Sequence, residues 1–417
     1  MLENRSVIDW PTGVTVYKPS KCHNGYTIIN PYRSELVLLI DMHGRVVKAW
    51  YAHPEKRCES WFTKLLPNGN WLSLLYQTPV LHDASSPLRH PDSFSKEEFK
   101  SSVVELCWEK GIVWEYQAAE VGLIHHDAGR LRNGNTLILL EKEVTVPGIS
   151  EKPVAENFLI EVTPENEIVW EWHTTEHFDE FAFPKRARAL MREQGGDIFH
   201  TNTLHVLPGN KLGESDPRFR KGNILCCQRN TNVIFVVDRI TEEVAWSWGE
   251  TNVVGPHHPV MLKNGNILIY DNGGEAGYPP RTRFYTRLVE INPVTGRIIW
   301  EYAHERYTYK ETAKFFSPSW GSVQRLPNGN TFSLDAHKGR LFEITPQGEI
   351  VWEYISPFAW GWGTRTLDSG MYRAYRYGYD EISRIDPVFK ETSGHIDAPP
   401  CSVKIPPEIG LPSLDLP

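Results

Sequence analysis

The chain has 417 residues, with 44 Lys and Arg against 52 Asp and Glu, for a formal charge of -8. That balance offers no broad basic surface for a phosphate backbone, which argues against nucleic acid as a partner. The longest clean apolar run, Leu36 to Ile40, is far too short to cross a bilayer, and Met1 to Pro11 have neither a basic n-region nor an apolar h-region. The expectation is a cytoplasmic protein with no membrane partner.

One phrase organises the chain. Asn-Gly-Asn or a near copy stands at Asn68 to Asn70, Asn133 to Asn135, Pro208 to Asn210, Asn264 to Asn266 and Asn328 to Asn330. An apolar strand follows each time, such as Thr136 to Leu140 or Ile267 to Tyr270, as expected of an Asn-Gly hairpin between antiparallel strands. A further hairpin then ends in tryptophan, at Trp50, Trp114, Trp170 with Trp172, Trp246 with Trp248, Trp300 and Trp352. Six closures at a spacing close to one four-stranded unit predict an all-β, six-bladed β-propeller in one domain, with a short C-terminal extension.

In chain order the blades are expected at about 14–52, 61–116, 125–174, 200–248, 257–303 and 319–355, with the extension over 356–417. A β-sandwich array is the structural competitor, but linkers rich in Pro, Gly or Ser are missing between the copies. Helix is expected chiefly at Lys185 to Glu193. The insertion Gln77 to Lys100, with His82, Asp83 and His90, reads as an exposed loop or a lid. Met371 to Tyr379, rich in Tyr and Arg, is expected to pack across a propeller face. Six cysteines make no disulfide framework, and the adjacent Cys226 and Cys227 read as core residues.

Histidines stand upstream of three of the turns: His125-His126-Asp127, His200-Thr-Asn202 and His257-His258-Pro259. In a propeller the start of each innermost strand lies at one mouth of the channel, the usual place for a ligand. Strand alternation predicts one ring of each pair on the axis, His126 and His257, with His125 and His258 supporting. Trp320, at the head of the sixth innermost strand, joins Asn202, His125 and His258 as an expected substrate contact.

Gly255-Pro-His257-His-Pro-Val-Met-Leu-Lys-Asn-Gly-Asn266 resembles the Gly-Gln-His segment of the bacterial arylsulfate sulfotransferases, in which that histidine accepts the sulfuryl group. Phe199-His200-Thr-Asn202 is similar to the family's His-x-Asn segment, and Arg229 to Asp238 to its following strand, whose arginine enters the sulfuryl pocket. His125-His126-Asp127 is similar to an earlier channel histidine. With Gly25 to Ile29 and Tyr372 to Arg376, the resemblance covers most of the chain.

It implies a six-bladed propeller with His257 as nucleophile, Arg229 as donor to the sulfuryl oxygens, and His126 or His200 as general acid and base. An aromatic sulfate and a phenol are the implied small-molecule partners, no cofactor is expected, and a homodimer fits this reading. The sequence departs from the family at Pro256, where glutamine is usual, and in lacking the family's export signal.

Two other readings use the same residues. His126, His200 and His257 converging on one axis could hold a divalent metal for lyase or hydrolase chemistry, with His205, His337 or Glu275 nearby. A non-catalytic propeller that binds a partner protein explains the fold and leaves these side chains without a purpose.

Overall fold

A computed structural model describes residues 11–32, 34–56, 58–77, 100–108, 111–118, 120–303, 314–358 and 370–389. The insertion histidines His82 and His90, with Asp83, lie outside the described residues. Strand β1 (Gly13–Tyr17) is followed by β2 (Gly25–Ile29), β3 (Leu36–Ile40) and β4 (Val46–Tyr51). Blade two comprises β5 (Glu59–Leu65), β6 (Trp71–Gln77), β7 (Lys100–Cys107) and β8 (Gly111–Gln117). Blade three comprises β9 (Leu123–Arg130), β10 (Thr136–Val144), β11 (Val154–Val162) and β12 (Ile168–His173). After helix α1 (Lys185–Gln194) comes blade four, β13 (Thr201–Val206), β14 (Ile224–Gln228), β15 (Val233–Val237) and β16 (Val244–Trp248). Blade five is β17 (Pro256–Met261), β18 (Ile267–Asp271), β19 (Arg287–Asn292) and β20 (Arg297–Ala303). Blade six is β21 (Val323–Arg325), β22 (Thr331–Asp335), β23 (Arg340–Ile344) and β24 (Ile350–Ile355), and β25 (Ala374–Gly378) and helix α2 (Tyr379–Ser383) complete the described chain. Six antiparallel sheets in a ring make the six-bladed propeller.

The ring closes differently from the expected blade boundaries. β1 is the fifth and outermost strand of blade six, where Tyr17 faces Trp352 across the β1–β24 pair. β25, from the tail expected to lie across a face, is instead the innermost strand of blade one, with Thr27 opposite Arg376. Without β25 the inner edge of β2 would leave its backbone N–H and C=O groups unpaired against the channel.

The repeated phrase does more than turn the chain. Asn68 and Asn70 both donate side-chain amides to Glu105 Oε1, at 2.9 and 2.6 Å. The same pattern joins Asn133 and Asn135 to Glu161, Asn264 and Asn266 to Glu290, and Asn328 and Asn330 to Glu343. Each glutamate also receives an arginine from the following blade: Arg130 on Glu105 at 2.6 Å, Arg239 on Glu161, Arg325 on Glu290 at 2.8 Å, and Arg376 on Glu343 at 3.4 Å. Those guanidinium groups lie over Trp114, Trp170, Trp300 and Trp352, at 4.6, 4.1, 4.9 and 4.3 Å from the ring centres. Each clasp thus combines a charge-assisted hydrogen bond with a cation–π contact across a blade junction.

The closing tryptophans bind the next blade as well. Indole N–H groups of Trp114, Trp172, Trp246, Trp300 and Trp352 donate to the carbonyls of Pro164, Glu242, Pro293, Pro346 and Met42, at 2.8 to 3.1 Å. Junction one–two is the exception, since Trp50 Nε1 is buried without a partner. There Trp50, Trp71 and Trp108 crowd together around a cavity of about 330 Å³, with the Lys48 ammonium 4.0 Å from the Trp108 ring.

Candidate active site

The innermost strands are bulged where the histidines lie. Register slips at Ser60/Phe62 in blade two, opposite Leu139 in blade three, at Thr201/Thr203 in blade four and at His257/Val260 in blade five. His126, His200, His258 and Trp320 have left-handed backbone, with φ of 62°, 52°, 47° and 60°. Non-glycine residues at such angles are strained, by of order 1–3 kcal/mol each, and cluster at functional sites. The bulge also breaks the alternation expected of the first pair, for the rings of His125 and His126 lie together with centroids 3.9 Å apart.

His257 is 1% exposed. Its Nδ1 faces Asn272 Oδ1 at 2.8 Å and the Gly255 carbonyl at 3.1 Å. Asn272 is oriented by its own amide, which donates to the carbonyls of Ser317 and Trp320 at 2.8 and 2.6 Å. Both groups facing Nδ1 are therefore acceptors, so the proton sits on Nδ1 and the lone pair on Nε2. Nε2 is buried and has no partner. Burial, then the Arg229 guanidinium, then His200, hold His257 well below the usual histidine range, and it stays neutral.

Three further imidazoles form a second group. His126 Nε2 and His200 Nε2 are 3.1 Å apart, and His200 Nδ1 is paired with Asp197. His125 Nε2 lies 3.6 Å from Glu141 Oε2. Against the upward push of burial, His200 draws the Asp197 carboxyl below its ordinary value. His126 is driven well below the histidine range by burial, with His125, His200 and His257 adding to it. Tyr372 stacks on His126 at 5.3 Å, and Trp61 meets its edge at 5.4 Å. Trp61 also packs on Trp320 and Tyr372, at 5.3 and 4.7 Å, which makes an aromatic wall beside the histidines.

Arg229 binds Asn230 Oδ1 through Nη1 at 2.7 Å, leaves its Nε buried without a partner, and has Asp197 and Glu275 as its nearby carboxylates. Asn202, fully buried, ties blade four to blade five: its amide donates to the Pro256 carbonyl at 2.9 Å, and its oxygen accepts from Thr203. His258 points away from His257. Its Nδ1 accepts the Val323 N–H at 3.2 Å and its Nε2 faces Tyr375. His205 lies further along β13, near Lys64, Asp127 and Arg373, and burial lowers it to about 4. His337 stacks on Trp320 at 5.1 Å. The grouping of ring nitrogens that could hold a metal ion is His125, His126 and His200 among the described residues, with His125 in the place expected for His257. Cys226 and Cys227 are both fully buried core residues.

Sequence reasoning missed Asn272, Asp197 and Trp61. Asn272 follows β18 in a Tyr-Asp-Asn-Gly run that reads as a turn, and Asp197 sits in the loop after α1. A carboxylate three residues before a channel histidine is the one local signal that could have pointed to Asp197.

Residues 113–357, more than half of the chain, match the family model for arylsulfotransferases (ASST). The chain belongs to the arylsulfotransferase family, a family of sulfotransferase enzymes. No curated protein matches it. Among solved structures, it is similar to a protein of unknown function from Bacteroides caccae, at 13% identity over 84% of this chain and 98% of that one, with a TM-score of 0.47. It is also similar to a streptogramin B lyase, at 12% identity over 84% and 83% of the two chains and a TM-score of 0.43. A virginiamycin B lyase from Staphylococcus aureus with quinupristin gives 11% identity over 73% and 72%, with a TM-score of 0.39.

Proposed function

We propose that this channel moves a sulfuryl group from an aryl sulfate to a phenol through an N-sulfo intermediate on His257. The observation that carries the reading is the pairing of a neutral, Nδ1-protonated His257, its Nε2 free of partners, with the Arg229 guanidinium beside it. The Nε2 lone pair attacks sulfur, an N–S bond forms, and the bond from sulfur to the aryl oxygen breaks. Arg229, with its unused Nε, offers donors to the sulfuryl oxygens as they are transferred. The His126–His200 pair starts with one extra proton, whose charge Asp197 at its far end balances, and gives that proton to the departing phenolate. In the second half the acceptor phenol returns its proton to that pair and its oxygen attacks sulfur, which breaks the N–S bond and restores His257.

Trp61, Trp320 and Tyr372 supply the wall for the aromatic rings of donor and acceptor. The reaction needs no phosphosulfate nucleotide, and the proposed setting is the cytoplasm. Brief exposure of chelator-treated protein to 4-nitrophenyl sulfate tests the proposal by intact mass. The expected result is a gain of one sulfuryl group, about 80 Da, in the covalent intermediate, absent from His257→Ala. Release of 4-nitrophenol only on adding metal, with no sulfated protein, would favour a metal-dependent hydrolase instead.

A further inference from the structure

We infer that His125, His126 and His200 form a zinc site whose occupancy shuts off sulfuryl transfer. The binding half stands on geometry alone, and the inhibition half rests on the proposed function. His126 Nε2 and His200 Nε2 are 3.1 Å apart. Two imidazole nitrogens on one tetrahedral zinc, with bonds of about 2.0–2.1 Å, are separated by about 3.3 Å. The third ring supplies its nitrogen from His125, and the three ligand atoms lie within 4.8 Å of one another. Since His125 Nε2 faces Glu141, the nitrogen left for a metal is Nδ1, which is buried and has no partner.

The outer shell agrees with this assignment at His200 and His125, while the remote Nδ1 of His126 is buried without a partner. A zinc-binding histidine commonly gives its remote N–H to a carboxylate, which fixes the tautomer and makes the ligand more basic. His200 does so with Asp197 through Nδ1, and His125 Nε2 has Glu141 at 3.6 Å. Two carboxylates behind the ligands offset the charge of a dication. Of the cations that act on this region, Arg373 is paired with Asp127 at 2.8 Å, and Arg229 has Asp197 and Glu275. An all-imidazole set without thiolate or carboxylate ligands suits zinc better than magnesium or calcium, and three ligands leave a fourth position open. With zinc in place the lone pairs of His126 and His200 are committed to the metal, so neither ring can exchange a proton with the phenol.

Chelator-stripped full-length protein titrated with zinc chloride, with metal content measured after gel filtration, tests the site. One zinc per chain is expected, and cobalt(II) in its place should show the intense visible bands of a tetrahedral complex. His125→Gln removes a ligand and should weaken binding at least tenfold, while Glu141→Gln, which keeps every ligand, should weaken it roughly 10-fold. Transfer from 4-nitrophenyl sulfate to phenol should fall along the zinc isotherm, recover with chelator, and shift to higher zinc in Glu141→Gln. Failure to bind zinc, or binding by both variants as tight as by the unaltered protein, overturns the site. Full turnover with zinc bound overturns the inhibition. Stripped protein that turns over no aryl sulfate defeats the sulfotransferase reading, and the zinc isotherm still decides the site.

Discussion

Asn272 Oδ1 accepts the Nδ1 proton of His257 at 2.8 Å, and Asn272 has no freedom to turn its amide round because the other end is spent on two carbonyls. One asparagine therefore selects the tautomer that makes Nε2 the nucleophile, as a carboxylate does for the histidine of a hydrolase triad.

Asn272→Ala should leave His257 free to adopt the other tautomer. The first-order rate of enzyme sulfation should fall by roughly 10²-fold or more, by analogy with loss of the orienting group in a triad, with a smaller effect on substrate binding. In nitrogen-15-labelled wild-type protein His257 should show a protonated Nδ1 and an unprotonated Nε2. A spectrum with the reverse assignment removes the basis for the nucleophile.

The blade clasp makes a separate prediction. Glu290 takes Asn264 and Asn266 on one oxygen and Arg325 on the other, while Arg325 covers Trp300. A double-mutant cycle of Glu290→Gln and Arg325→Gln should give a coupling of about 0.5–3 kcal/mol, the range for residues that share one hydrogen-bond and ion-pair network. Each single variant should lower the midpoint of urea unfolding. A coupling near zero would reduce the clasp to a surface pair.

Much of this was legible in the chain, for reasons that differ by residue. Asn-Gly hairpins and closing tryptophans are local signals, so the six blades and the helix at Lys185 could be read directly. The partners that define the chemistry could not. Asn272 and Asp197 matter through the direction of one hydrogen bond each, and neither residue type is unusual at a turn. The place of β25 depended on which edge of blade one lacked a strand, a property of the closed ring and of no local segment. Likewise the left-handed His126 defeated the period-two reading and brought His125 to the site.

Acid should unfold this protein earlier than its carboxylates alone would dictate. His125, His126, His205, His257 and His258 are all lowered by burial, His205 to about 4. In the unfolded chain each takes up a proton near pH 6.5, so below that pH the unfolded state binds more protons and stability falls as pH drops. His173 acts in the opposite sense, since its hydrogen bond to Glu156 raises it, and its contribution is lost as pH rises through its folded value. Burial lowers His23 and His53 too, so among the described residues seven groups stand against one, and thermal midpoints should fall clearly between pH 7 and pH 5. His205→Gln should flatten that slope by up to one proton. A pH-independent midpoint over that range contradicts the burial of these rings as neutral species.

The odd junction offers a comparison internal to the molecule. Trp300 and Trp50 close equivalent blades, yet Trp300 Nε1 donates to the Pro346 carbonyl at 2.9 Å whereas Trp50 Nε1 is buried with no acceptor. Trp300→Phe loses a hydrogen bond at the surface, where the Pro346 carbonyl can turn to water, a net cost of about 0.5–1.5 kcal/mol beyond the lost ring area. Trp50→Phe loses similar area but also removes an unsatisfied buried donor, which offsets part of the loss. Chemical denaturation should therefore find Trp300→Phe the more destabilised of the two by about 1 kcal/mol. Equal losses would mean that the Trp50 indole finds an acceptor in solution and that junction one–two is closed like the other five.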